Sequence, residues 1–137
     1  MRISELARRS GVSANRLRRY EAQGLLKARR LDSGYREFAE GTEREAVFIA
    51  MSRDLGFTLA RIAEVLPRYR SGRLTVADME ALMRERIAEV DAEIAARRAL
   101  RRKLVSHIAW LREREARRAA AAPAPRNAFT QARRTRR

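Results

Sequence analysis

Apolar positions in the first part of the chain recur at helical spacing in short bursts, and each burst ends at a residue that stops helices. Ile3, Leu6 and Ala7 form one stripe that closes at Ser10–Gly11. Ser13 caps a second helix that runs to Gly24, where glycine suits the left-handed residue following a helix. A helix, a tight turn and a second helix are therefore predicted. After Leu25 and Leu26, residues 28–38 place Asp32, Ser33 and Gly34 between two short extendable arms, which is the chemistry of a small hairpin. Thr42 and Glu45 have the spacing of a capping box, opening a third helix with Val47, Phe48, Met51 and Leu55 turned inward and Gly56 as its stop. Thr58 caps a fourth helix with Leu59, Ile62 and Leu66 on its apolar side and Pro67 at its end.

Thr75 and Asp78 mark another helix start, and no glycine or proline follows until Pro123. The implied helix is more than about 40 residues long, roughly 65 Å at 1.5 Å per residue. Along it, Met83, Ile87, Val90 and Ile94 recur at alternating spacings of four and three, and Leu100, Leu104, Ile108 and Leu111 resume the pattern after Arg97–Arg98. So narrow a seam on so long a helix calls for a partner helix, and the charges give its direction. Residues 75–96 carry 2 basic and 6 acidic side chains, whereas residues 97–118 carry 9 and 2. A parallel pair stacks like charge on like; an antiparallel pair sets each acidic half against a basic one.

Composition then narrows the function. The 137 residues hold 32 Lys and Arg against 17 Asp and Glu, a net charge of +15, which points to a polyanionic partner and first of all to nucleic acid. The excess sits mainly at the two ends: residues 1–74 are net +7 and residues 123–137 are net +5. The latter, proline-broken and poor in apolar residues, are expected to form a flexible basic tail. There is no cysteine, which removes disulfides and thiolate metal sites and gives no sign of an oxidising compartment. No stretch approaches the ~20 apolar residues of a membrane span, and Glu5 interrupts the opening turn, so an untargeted, cytoplasmic protein is expected. Acidic pairs such as Glu85 and Glu89 sit beside arginines as surface ion pairs do, and no phosphate loop, zinc motif or nucleophile triad is present, so no enzymatic activity is expected.

The second helix carries the candidate chemistry. A step of about 100° per residue puts Asn15, Arg16, Arg19 and Gln23 on one face, with Leu17, Tyr20 and Glu21 turned toward the other. Arginine can donate two hydrogen bonds to a guanine edge and asparagine can bracket an adenine, so this face can read a DNA groove. Leu17 and Tyr20 are expected to anchor the core, with the Tyr20 hydroxyl still able to reach a phosphate. The hairpin presents Tyr35 and Arg36 on opposite sides. Trp110 is expected near the dimer seam and His107 to be structural, since it has no second histidine to share a metal with.

Five spaced blocks resemble the MerR family of bacterial transcription regulators: Arg2-Ile3-Ser4-Glu5-Leu6-Ala7, Ser10-Gly11-Val12-Ser13, Leu17 to Leu26, Arg30 to Phe38, and Leu55-Gly56-Phe57-Thr58-Leu59 with Ile62. The resemblance implies a mainly α fold: a winged helix-turn-helix over residues 1–70 with a small β-hairpin wing, then a long antiparallel coiled-coil dimerisation helix over 75–118. It implies a homodimer on double-stranded promoter DNA, bending and untwisting the spacer for RNA polymerase. It places Ser13, Arg16, Arg18, Arg19 and Tyr20 in the recognition helix, Tyr35 and Arg36 in the wing, and Arg61 toward the DNA backbone. Together with Asn15 these are the expected DNA-binding residues, and Met83, Ile87, Val90, Ile94, Leu104, Ile108 and Leu111 the expected dimerisation residues.

The chain also departs from the family pattern. Arg16 stands where a threonine is common, Arg19 where an aromatic is common, and Ala28 replaces a frequent proline; Leu74 to Asp78 lacks the cysteine with which metal-sensing members begin the long helix. A thiolate metal sensor is thereby excluded, and no cofactor is expected. Two sources of regulation stay open: a small effector in a crevice beside the dimer helix with Trp110 as a wall, or abundance alone, which is preferred. The alternatives to a transcription regulator are an architectural or excisionase-like DNA-bending protein and a coiled-coil scaffold that binds RNA or protein.

Overall fold

Residues 1–122 are described by the computed structural model, in the order α1 (Ile3–Ser10), α2 (Ala14–Ala22), β1 (Arg29–Arg30), β2 (Arg36–Glu37), α3 (Thr42–Asp54), α4 (Leu59–Arg70) and α5 (Val76–Ala121). The expected basic tail, residues 123–137, lies outside the described residues. The chain divides into two compact units, the first from Met1 to Ala88 and the second beginning at Glu89, with α5 contributing to both.

In the first unit, α1 ends at Gly11, whose N–H still bonds the Ala7 carbonyl and whose φ of 71° turns the following chain toward α2. The Ser13 hydroxyl accepts from the Arg16 N–H and opens α2 as expected. That helix ends at Ala22, slightly before Gly24. Leu6 and Leu17 meet fully buried where α1 and α2 pack together, and Leu26, Phe38, Ile49 and Leu66 extend the same core. The wing is a two-stranded antiparallel hairpin with Arg29 opposite Glu37 and Arg30 opposite Arg36. Its tip is closed by the Leu31 N–H on the Tyr35 carbonyl and the Gly34 N–H on the Leu31 carbonyl. Buried Phe38 anchors its base, and the Phe38 N–H bonds the Met1 carbonyl at 2.7 Å.

Three local expectations are corrected. First, α3 is not opened by a Thr42–Glu45 capping box. Its N-cap is Gly41, at φ 91°, with no side-chain cap, while Thr42 is buried and Glu45 is spent on an ion pair with Arg70 at 3.1 Å. Second, α3 buries Ala46, Ile49 and Ala50, whereas Val47, Met51 and Leu55 are exposed and Phe48 is half-buried, stacked on Tyr69 at 4.2 Å. Residues 46–51 are apolar without a break, so the helix has no polar side and only its neighbours decide which way it faces. Third, Pro67 does not end α4 but lies within it. The missing N–H is outweighed by what the last turn gains, namely the Tyr69–Phe48 stack and the Arg70 bond to the Leu25 carbonyl at 2.7 Å. Thr58 does cap α4, accepting from the Arg61 N–H.

Thr75 and Asp78 open α5 with a reciprocal box: the Thr75 N–H donates to Asp78 Oδ2 and the Asp78 N–H to Thr75 Oγ1, both at 3.0 Å. The opening turns of α5 are tied to the rest of the first unit by Arg68–Asp78, Arg61–Glu85 and the Arg86 Nε bond to the Leu55 carbonyl. No residue of α5 is buried within the single chain.

Candidate nucleic-acid interface

The helix-turn-helix seats α2 by its apolar side, Leu17 and Tyr20, and leaves a polar side outward. On that side Asn15, Arg18 and Arg19 are exposed, and Asn15 Oδ1 accepts from Arg18 Nη1 at 2.9 Å, which orients both side chains over the helix surface. Ser13 is exposed but its hydroxyl is committed to the cap. Tyr20 is buried, and its hydroxyl accepts from Arg16 Nε at 3.1 Å. Arg16 does not extend outward with Arg19: its Nη2 turns back toward α3, 3.2 Å from Asp54 Oδ1 and 3.5 Å from the Ala50 carbonyl.

At the wing, Tyr35 is 58% exposed and the Arg2 guanidinium lies over its ring, 4.3 Å from the centroid. The motif containing Arg2 was legible in the sequence, but this partnership across 33 positions was not. Arg36 is half-buried, with Nε 3.5 Å from Glu21 Oε1, an ion pair without a hydrogen bond that ties the wing to α2 electrostatically. Arg61 is held by Glu64 at 2.8 Å and Glu85 at 2.9 Å, and its pKa is raised, chiefly by the hydrogen bond to Glu64 and then by that to Glu85. The candidate DNA contacts thus fall into two groups. Asn15, Arg18, Arg19 and Tyr35 face solvent, while Arg16, Arg36 and Arg61 each face a carboxylate of this chain. Local sequence carries no signal for Asp54 or Glu85 as partners, because each lies more than a helix away from its arginine.

The expected dimerisation residues on α5 are uncovered in the single chain. Met83, Ile87, Ile94, Leu104, Ile108 and Leu111 are 38–59% exposed in the single chain and Val90 is half-buried. Trp110 stacks on His107 at 5.0 Å, and the Arg114 guanidinium lies over its ring, 4.9 Å from the centroid. Where α3, α4 and the first turns of α5 meet, Phe48, Met51, Leu55, Val65 and Leu82 line an apolar groove enclosing about 50 Å³. Among the described residues no helix is long and apolar enough to cross a membrane.

Two family models match the chain: the MerR HTH family regulatory protein over residues 1–69 and the MerR DNA-binding model over residues 44–107. Heavy metal-dependent transcription regulator 2 of Rhizobium meliloti (strain 1021) is 36% identical over 110 residues, covering 80% of this chain and 74% of that protein. The structure of the transcription regulator PbrR691 from Ralstonia metallidurans CH34, solved with lead(II), superposes with a TM-score of 0.62 at 29% identity over 77% of this chain and 83% of that one. HiNmlR, a MerR family regulator lacking the sensor domain, solved on promoter DNA, shares the fold with a TM-score of 0.50 at 23% identity over 90% and 96% of the two chains. These matches favour a transcription regulator over an architectural DNA-bending protein or a scaffold. An α-helical chain with a two-stranded wing, a cationic exposed helix face and a long uncovered C-terminal helix, matched over its helix-turn-helix and beyond, belongs to the MerR family of DNA-binding transcription regulators.

Proposed function

We propose that this chain regulates transcription as a homodimer that binds promoter DNA through residues 1–70 and dimerises through the α5 segment 75–118. The observation that carries this reading is the exposed α2 face of Asn15, Arg18 and Arg19 beside the exposed wing residue Tyr35. In this reading α2 enters the major groove and reads base edges, and Tyr35 with Arg2 meets the flanking phosphates, while Arg36 and Arg61 stay on their carboxylates. Pairing of two α5 seams, antiparallel because of the opposed charges of their halves, sets two recognition helices at the spacing of a near-palindromic site. Such a protein works in the bacterial cytoplasm, where promoters and RNA polymerase are, and it has no reaction to catalyse.

The metal named for some relatives is theirs. Soft-metal sensing by thiolates needs cysteine, and this sequence has none and a single histidine. This supports a regulator that does not respond through a thiolate-bound metal. Sequencing the fragments that the protein retains from its host genome, with footprinting of those fragments, tests the reading. A common near-palindromic element within promoter spacers is expected; a footprint outside promoters, or retention of duplexes without sequence preference, overturns it.

A further inference from the structure

Arg16 is the arginine on the recognition helix that this chain folds back onto its own core, and its bonds restrict what it can do on DNA. Its Nε is given to the Tyr20 hydroxyl, and its Nη2 to Asp54 Oδ1 with the Ala50 carbonyl 3.5 Å away. A bidentate contact to guanine uses one edge of the guanidinium, either Nη1 with Nη2 or Nε with Nη2. Both edges draw a hydrogen from Nη2, which donates to Asp54 Oδ1 and to the Ala50 carbonyl, so either bidentate contact competes with the bonds that hold Arg16 to α3. The side chain is 31% exposed and its guanidinium carbon sits 5.8 Å from the Tyr20 ring centroid, whereas Arg18 and Arg19 stand exposed on the same helix. Releasing Arg16 to the DNA would also leave the Asp54 carboxylate, 71% exposed, unpaired beside phosphates. Keeping the pair intact in the complex removes that repulsion.

We propose that Arg16 braces the recognition helix against the end of α3, with Asp54 as the partner that positions it, and that base reading falls to Arg19 and the Asn15–Arg18 pair. This rests on α2 being the recognition helix and adds which of its residues determine specificity. Arg16 is thus a positioning residue: it spans from the first turn of α2 to the last turn of α3 and sets the angle at which α2 meets the groove.

The test selects duplexes from a random pool with the wild type, R16E, the charge-reversed pair R16E/D54R, R16A and R19A, and measures affinity for the selected site relative to random DNA. That ratio is insensitive to charge added or removed near the phosphates. R16E is expected to lower it about tenfold and R16E/D54R to recover it to within about threefold, while R16A keeps the wild-type base preference at every position. R19A is expected to flatten preference at one operator position, with a loss of roughly 5- to 150-fold. A charge-reversed pair as poor as R16E, or an R16A protein that loses preference at one base pair, overturns the brace. Thermal unfolding of the free proteins judges it independently of DNA. R16E and D54R are each expected to lower Tm by a few degrees and the double variant to restore it, and failure to restore it overturns the pairing. A wild type that selects no sequence, yet shows the restored Tm, instead removes the regulator reading and leaves the brace standing.

Discussion

Thr75 and Asp78 show how much stability a few local atoms can control, because their reciprocal bonds satisfy donors that the start of α5 would otherwise leave open. The Asp78 carboxyl is held below its ordinary value, first by the Thr75 backbone N–H, then by the Thr75 hydroxyl and by Arg68. A carboxylate whose pKa falls on folding contributes stability above its unfolded value and loses that contribution as the pH drops through the folded one. Asp78→Asn should therefore make unfolding less sensitive to acid below the ordinary aspartate range, as measured by denaturant midpoints across that range. Thr75→Ala removes the other half of the box and should cost roughly 1 kcal/mol by the same measurement at neutral pH. Caps of this kind were legible because both partners lie within one turn, as were Ser13 at α2 and Thr58 at α4. The Thr42–Glu45 pair has the same spacing and fails, since Arg70, distant in sequence, takes Glu45.

Elements differ in how far their own sequence determines their environment. For α5 the narrow seam of Met83, Ile87, Val90 and Ile94 names the side that needs covering, and the uncovered state of these residues in one chain agrees with that need. Val90→Asp or Ile94→Asp should convert the homodimer to monomer in sedimentation velocity at micromolar concentration, because a buried unpaired carboxylate costs several kcal/mol. A spin-label pair near residues 80 and 114 should show short distances between opposite ends of two partner helices; short distances between like ends exclude the antiparallel arrangement. For α3 the sequence is silent about orientation, as apolar residues surround it and the buried face is settled by α1 and α4 packing on it. Pro67 is the converse: its local preference is to stop a helix, and tertiary bonds from Tyr69 and Arg70 carry α4 past it.

At the scale of the whole molecule, a net charge of +15 makes electrostatics the sequence-independent part of DNA affinity. Residues 123–137 add five of those cations and no acid. Deleting them should weaken binding to operator and random duplexes by similar factors and flatten the salt dependence, as read from titrations at several salt concentrations. A shifted operator preference would show instead that these residues contact bases.

The sequence by itself determined the succession of short helices, the turn at Gly11, the hairpin over residues 28–38, the unbroken α5 and the family, because caps, stops and periodicity act between residues a few positions apart. It also marked α2 as the cationic helix. The tertiary structure alone decided which face of α3 is buried, that α4 runs through Pro67, and which arginines remain available. Arg16 meets Asp54 across 38 positions and Arg61 meets Glu85 across 24, so no local pattern distinguishes them from Arg18 and Arg19. A side chain's charge is written in its own residue, but its partner is chosen by the packing that brings distant helices within hydrogen-bond reach.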